Sequence, residues 1–513
     1  MARDLPYDHS SSFRLRRLLN WLPMGFAYAF MYMGRYNLTV AKSALGDLMT
    51  KVDFGNIFMV GAVTYGCAFL INGPFIDRFG GRRGMLIGIA GSIAANALMG
   101  LTLYGVSQWQ WDLAIIPVFT FLYALNMYFQ SFGAVAIVTV KAPWFHVRER
   151  GTFSTIFGTI ISAGIYFAFD WGFAVVKATR AGAAETGLSG IPAMFASVFG
   201  LGQSNVDQNW MIFFIPAILM AAMWAIMVFY LRNTPGEAGF KDFNTGEAAL
   251  SAHGERLPVK VAITKIFRHP VLRFVCLIEF CSGILRNGIM HWYTFFGKEV
   301  GFYSDFAITE NWGLALLICG LIGANATGWV SDHLFQSRRA PMCAILYGLM
   351  VVGAIALWVG VPNVAQNEAG EWTGLWLPGM AAMVISMAVI AVHGILSGTA
   401  TTDFGGSKNA GIVVGIVDGI VYLGTGLQSF VIGSLVPTGE SATQAGSWWM
   451  WPAFLLPFAV LGFLFTLKIW NAIPDGAKST PKNSAASSSP DSPAPTPFPT
   501  EREKQPETRK QAG

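Results

Sequence analysis

Two arginines lie in apolar surroundings: Arg35 within LLNWLPMGFAYAFMYMGRYNLTVA and Arg286 within FVCLIEFCSGILRNGIMHWYTFF. A guanidinium at membrane depth is costly unless it faces a cavity, a partner or an anion. It stays charged and presents a planar fork of donors that suits an oxyanion such as phosphate. Two chemistries follow. The pair clamps a doubly charged oxyanion between them, or each arginine pairs with a carboxylate of its own chain. Glu279 lies seven residues before Arg286 on the same helix face, but two turns are about 10 Å, which strains a direct contact.

Other polar side chains fall inside apolar runs. Lys42 follows Arg35 by seven residues and shares its face. Tyr65 is either a ligand-stacking or hydrogen-bonding ring or a packing tyrosine. Asn126 and Gln130, four apart on one face, either line a cavity or bond between helices. Trp292 and His291 either frame a cavity mouth or pack. Asp418, Glu279 and His393 are the usual parts of a proton relay, and Asp418 serves equally as a counter-charge for Arg35, Arg286 or Lys42. Asp170 has no evident place.

These residues are carried by membrane helices. The 513-residue chain is 53% hydrophobic and 12% charged, with 57 glycines, about half the charged share of a soluble domain. Apolar runs of about 20 residues span a bilayer, and twelve are found, near 18–41, 54–73, 84–105, 112–139, 152–177, 210–232, 270–296, 312–331, 341–361, 375–398, 410–435 and 450–471. The expected fold is all-α: a cytoplasmic segment 1–17, a six-helix bundle 18–232, a cytoplasmic connector 233–269, a second bundle 270–471 and a disordered tail 472–513. The tail is too rich in Pro, Ser and charge to build a core. Arg78, Lys141, Lys241, Lys265 and their neighbours place the excess of Lys and Arg at the N-terminus and after even-numbered spans, so both termini are expected in the cytoplasm. The net charge of +5 reflects this bias and gives no argument for nucleic acid. The five cysteines sit in apolar runs without a C-x-x-C pair, as small apolar fillers do.

The two bundles are related by a weak repeat. GPFIDRFGGRRG after the second span and GWVSDHLFQSRRAP after the eighth both read Gly, an Asp four residues on, then paired Arg. In this the chain resembles the major facilitator superfamily, which implies two pseudosymmetric bundles with a central substrate site. The resemblance implies a cytoplasmic latch for Asp77, Arg82, Arg83, Asp332, Arg338 and Arg339; charges that only set topology are the other reading. LRNGIMHWYTFFGKEV in span 7 and SKNAGIVVGIVDGIVYLGTG in span 11, with VRERGTFST and RNTPGEAG, are similar to the organophosphate:phosphate antiporters. That likeness assigns phosphate binding to Arg35 and Arg286. The chain departs from the pattern at Phe69, where some members carry Lys, and at Ile161, where glycerol-phosphate members carry His. Lys42 and Asp418–Gly419 resemble the sugar-phosphate exchangers instead.

The resemblance thus implies a transporter of the cytoplasmic (inner) membrane that takes a small phosphorylated anion, in exchange for inorganic phosphate, as a monomer in the lipid bilayer. The substrate set is Arg35, Arg286, Lys42, Tyr65, Asn126, Gln130 and Trp292. A proton-coupled symporter of another organic anion and a transporter-like sugar-phosphate sensor are the alternatives. The chain shows no nucleophile, phosphate loop, cofactor motif or His/Cys metal cluster, so neither an enzyme nor a bound cofactor or metal is expected.

Overall fold

The computed structural model describes residues 10–146, 158–160, 162–243, 245, 259–335, 339–396 and 410–472. Helices stand at all twelve expected positions. The first half comprises α1 (Ser11–Leu45), α2 (Lys51–Phe79), α3 (Gly81–Gln108), α4 (Ile115–Trp144), α5 (Gly158–Ala178), α6 (Gly190–Phe199) and α7 (Met211–Tyr230). The second comprises α8 (Val259–Arg268), α9 (Leu272–Met290), α10 (Trp292–Val300), α11 (Trp312–Leu334), α12 (Arg339–Gly360), α13 (Trp376–Ile395), α14 (Ala410–Leu435) and α15 (Met450–Lys468). Among the described residues nine helices are long and apolar enough to cross a membrane. Of the helices at the twelve expected positions, α1, α9 and α11 fall outside that group, and the first two carry the central arginines.

Local chemistry sets the ends. At α2, Thr50 Oγ1 accepts from the Asp53 amide at 3.1 Å and Asp53 Oδ2 accepts from the Thr50 amide at 2.9 Å, a capping box that satisfies two end donors. α2 passes into α3 through Gly80 at φ 87°, a backbone state that glycine adopts without a Cβ clash. Four features were not expected: the extra helix α6, the helix α8 within the connector, a two-stranded antiparallel hairpin of β1 (Ala365–Gln366) and β2 (Trp372–Thr373), and a break at His291 that divides the seventh span into α9 and α10. α5 also contains a π-helical turn at Phe167–Trp171, an irregularity often found at functional positions.

The two halves meet most extensively where α2 runs along α14, and small residues let the backbones close. A Cβ at Gly55 would stand 2.5 Å from Ser429 O, and one at Gly66 would stand 2.8 Å from Gly419 O. Such an approach favours packing without a hydrophobic driving force.

The tail, VRERGTFST, Ile161 and Arg338 lie outside the described residues, as do the side chains of Asp77 and Asp332. Of the remaining expected latch residues, Arg82 donates its Nη2 to Val228 O at 2.9 Å and its amide to Asn233 Oδ1 at 2.8 Å. Both partners belong to the first half. Arg83 is exposed and Arg339 half-buried.

Candidate anion site

Arg35 is 1% exposed, and each of its three guanidinium nitrogens donates to a neutral oxygen. Nε donates to Gln130 Oε1 at 2.8 Å, Nη1 to the Tyr422 hydroxyl at 2.7 Å and Nη2 to the Tyr65 hydroxyl at 3.2 Å. The guanidinium carbon also stands 4.8 Å from the centroid of Tyr32 and 4.6 Å from that of Tyr65, within cation–π range. Helices α1, α2, α4 and α14 therefore converge on one cation, from both halves of the chain.

A polar ladder fixes this geometry. Asn37 Nδ2 donates to Asn96 Oδ1 at 2.6 Å, and Asn126 Oδ1 accepts from Asn96 Nδ2 and from Gln130 Nε2, each at 3.1 Å. With its nitrogen committed to Asn126, Gln130 must turn its oxygen to Arg35. Asn126 Nδ2 donates to Gly34 O at 2.9 Å and the Tyr123 hydroxyl donates to Arg35 O at 3.0 Å, so the arginine backbone is held as well. Asn126 is fully buried in this ladder; it positions Gln130 and does not itself face the cation.

Arg286, on α9, is half-buried, its Nε lacks a hydrogen-bond partner, and Tyr32 is its side-chain hydrogen-bond neighbour. Tyr36 and Tyr422 lie in the field of both arginines. The ion pairs among the described residues are Lys51–Glu299, Lys177–Glu310, Arg180–Asp207 and Glu279–His393. Neither Arg35 nor Arg286 belongs to one. Two guanidiniums thus share a tyrosine cluster with no carboxylate of the described residues in salt-bridge range, and an anion placed between them meets donors bonded to neutral groups.

Tyr65 and Gln130 bond Arg35 directly. Lys42 does not: its charged neighbours are Glu299, Asp47 and Asp53, because seven residues carry it about 10 Å along α1. Trp292 donates Nε1 to Gln428 Oε1 at 3.1 Å and packs edge-on against Phe54, so it sits in the wall between the halves. Glu279 pairs with His393, at 3.2 Å, and not with Arg286. Asp418 is half-buried, and His393 lies in its field. Tyr32, Tyr36 and Tyr422 were missed. The first two, with Tyr28, recur every four residues beside Arg35, a one-face stripe that could have marked them.

One end of the site is sealed. Thr39 Oγ1 and His291 Nδ1 share a hydrogen bond of 2.8 Å, and the rings of Tyr36, Phe54 and Phe58 surround His291. Farther along, Lys51 Nζ approaches Glu299 Oε1 at 3.4 Å and donates to Pro437 O at 2.7 Å, while Lys298 Nζ donates to Ser43 Oγ at 3.1 Å. Asp170 finds its place here, accepting from the Gly313 and Leu314 amides at 2.7 and 3.0 Å. It caps the start of α11 from the other half, where unsatisfied amides favour an anion.

The Major Facilitator Superfamily profile matches residues 24–429. A probable hexose phosphate transport protein of Chlamydia muridarum is 24% identical over 88% of this chain and 90% of its own length. A glycerol-3-phosphate transporter of Bacillus subtilis is 22% identical over 90% and 94% of the two chains. Among solved structures, a bacterial homologue of the human lysosomal transporter Spinster, in an inward-facing and unoccupied conformation, superimposes with a TM-score of 0.66 at 16% identity, covering 90% of this chain and 99% of that one.

Proposed function

Because the chain belongs to the major facilitator superfamily, and is a transporter and not an enzyme, we propose that it exchanges a phosphorylated organic anion for inorganic phosphate. The substrate is a sugar phosphate, glycerol phosphate or a similar ester, and the names of the two relatives support that class. The observation that carries the reading is the acid-free pair Arg35 and Arg286, whose nearest groups are tyrosine hydroxyls and one amide oxygen. A phosphate dianion replaces these neutral acceptors with an anionic one that the guanidinium fork can grip bidentately.

Alternating access follows from the same contacts. The anion is held by α1 and α9, one from each half, so binding favours the arrangement in which the halves close on it. Opening the sealed end requires Thr39–His291, Lys51–Glu299, Lys298–Ser43 and the Asp170 cap to part together. The loop charges support placing that end outside and both termini in the cytoplasm. An empty site leaves two uncompensated guanidiniums, which opposes the return step without a ligand and makes exchange obligatory.

The test is uptake into proteoliposomes. Labelled hexose phosphate or glycerol phosphate should enter vesicles loaded with phosphate and fail to enter vesicles loaded with chloride. Equal uptake into both would overturn the exchange mechanism.

A further inference from the structure

We propose that Glu279 and His393 form a proton-binding site whose occupancy is coupled to the anion held at Arg286. The inference rests on the anion-binding role given to Arg286 above. Glu279 is 0% exposed, and only one of its carboxylate oxygens is satisfied: Oε2 bonds His393 Nδ1 at 3.2 Å, while Oε1 is buried with no partner. A half-satisfied buried carboxylate is expensive, and a proton on Oε1 removes the charge that makes it so. The His393 ring is 26% exposed, so the pair has an open edge although the carboxylate does not. Its place is central. α9 brings Glu279 two turns from Arg286, and α13 brings His393 against it.

The other groups around the pair are few. On α9 they are Cys276 and Arg286; on α12, Cys343 and Tyr347, with Arg339 acting on Cys343; on α14, Asp418. Cys276, Cys343 and Tyr347 are buried and are neutral thiols and a phenol in ordinary conditions. Among the described residues the charges that bear on the pair are therefore Arg286 and Asp418. Arg286 presents an uncompensated positive charge to the pair when the anion site is empty. A dianion bound at Arg286 reverses that field, and a proton from water then binds Glu279 Oε1; when the anion leaves, the proton returns to water. Only an O–H bond is made and broken. Two unit charges about 10 Å apart at an effective dielectric near 20 couple their affinities by about tenfold.

The experiment adds inorganic phosphate to purified protein in weakly buffered detergent solution containing a pH indicator. Uptake is recorded at a series of pH values from about 5 to 9, and the protonation change of phosphate itself is subtracted. Wild type should take up protons as phosphate binds. Glu279→Gln, which keeps the shape of the side chain, and His393→Gln should bind phosphate with little or no uptake, and their phosphate affinity should lose the roughly tenfold pH dependence of wild type. Uptake undiminished in Glu279→Gln, or no uptake by wild type that demonstrably binds phosphate, would overturn the proposal. Absence of phosphate binding by wild type would instead refute the anion site itself. If Glu279→Gln does not fold, His393→Gln decides by the same criteria.

Discussion

Replacing Gln130 with glutamate tests the neutral character of the site with a change of one functional group. Gln130 Oε1 is 2.8 Å from Arg35 Nε, so a glutamate there becomes the internal counter-ion that the site lacks. With charge centres about 4 Å apart and an effective dielectric near 20, the new ion pair is worth about 4 kcal/mol. An incoming anion must displace it or bind beside it, which weakens phosphate by roughly a thousandfold. The substitution also removes the Nε2 donor to Asn126 Oδ1, so Gln130→Met serves as the control: it loses the amide without adding charge and should stay within about tenfold of wild type. Phosphate-protected thermal shift and counterflow in proteoliposomes measure both variants. A folded Gln130→Glu protein that binds phosphate as tightly as wild type would refute Arg35 as an anion ligand.

Three further outcomes follow from named contacts. Tyr422→Phe deletes the acceptor of Arg35 Nη1 and should lower the melting temperature of the empty protein, a loss of about 1.5–3 kcal/mol, with a larger stabilisation by added phosphate than wild type shows. Asp170→Asn removes the charged cap of α11 and should favour opening of the sealed end by about 0.5–2 kcal/mol, read as faster maleimide labelling of Ser43→Cys. Gly283→Ala drives a Cβ into Val421 O, whereas Gly73→Ala meets nothing within 4 Å. The first should cost about 1–3 kcal/mol of stability and the second almost none, by thermal unfolding in detergent.

How much of this was legible in the chain depended on whether the signal was local. Arg35 and Arg286 were visible because a charge inside an apolar run has no ordinary explanation, and the spans were visible because a bilayer demands about 20 apolar residues. The partner of Glu279 was not, since His393 lies 114 residues away and only helix packing unites them. Lys42 shows the limit of a same-face argument: the face was right, but rise along the helix took it to another cluster. Asp170 had no place until the N-terminus of α11 was beside it. The break at His291 left no Pro to announce it. His291 O accepts from Thr294 Oγ1 at 2.7 Å, a side-chain bond that bends helices and that a threonine in the sequence does not by itself announce.

The central claim is that Arg35 and Arg286 together hold phosphate. Counterflow of labelled phosphate, hexose phosphate, glycerol phosphate and phosphoglycerate in phosphate-loaded proteoliposomes, compared among wild type, Arg35→Lys and Arg286→Lys, tests it most directly. Lysine keeps the charge and loses the bidentate fork, so each variant should lose about 2–3 kcal/mol, roughly 30- to 150-fold in apparent affinity, for every phosphorylated substrate. Unchanged exchange in both variants would contradict the account.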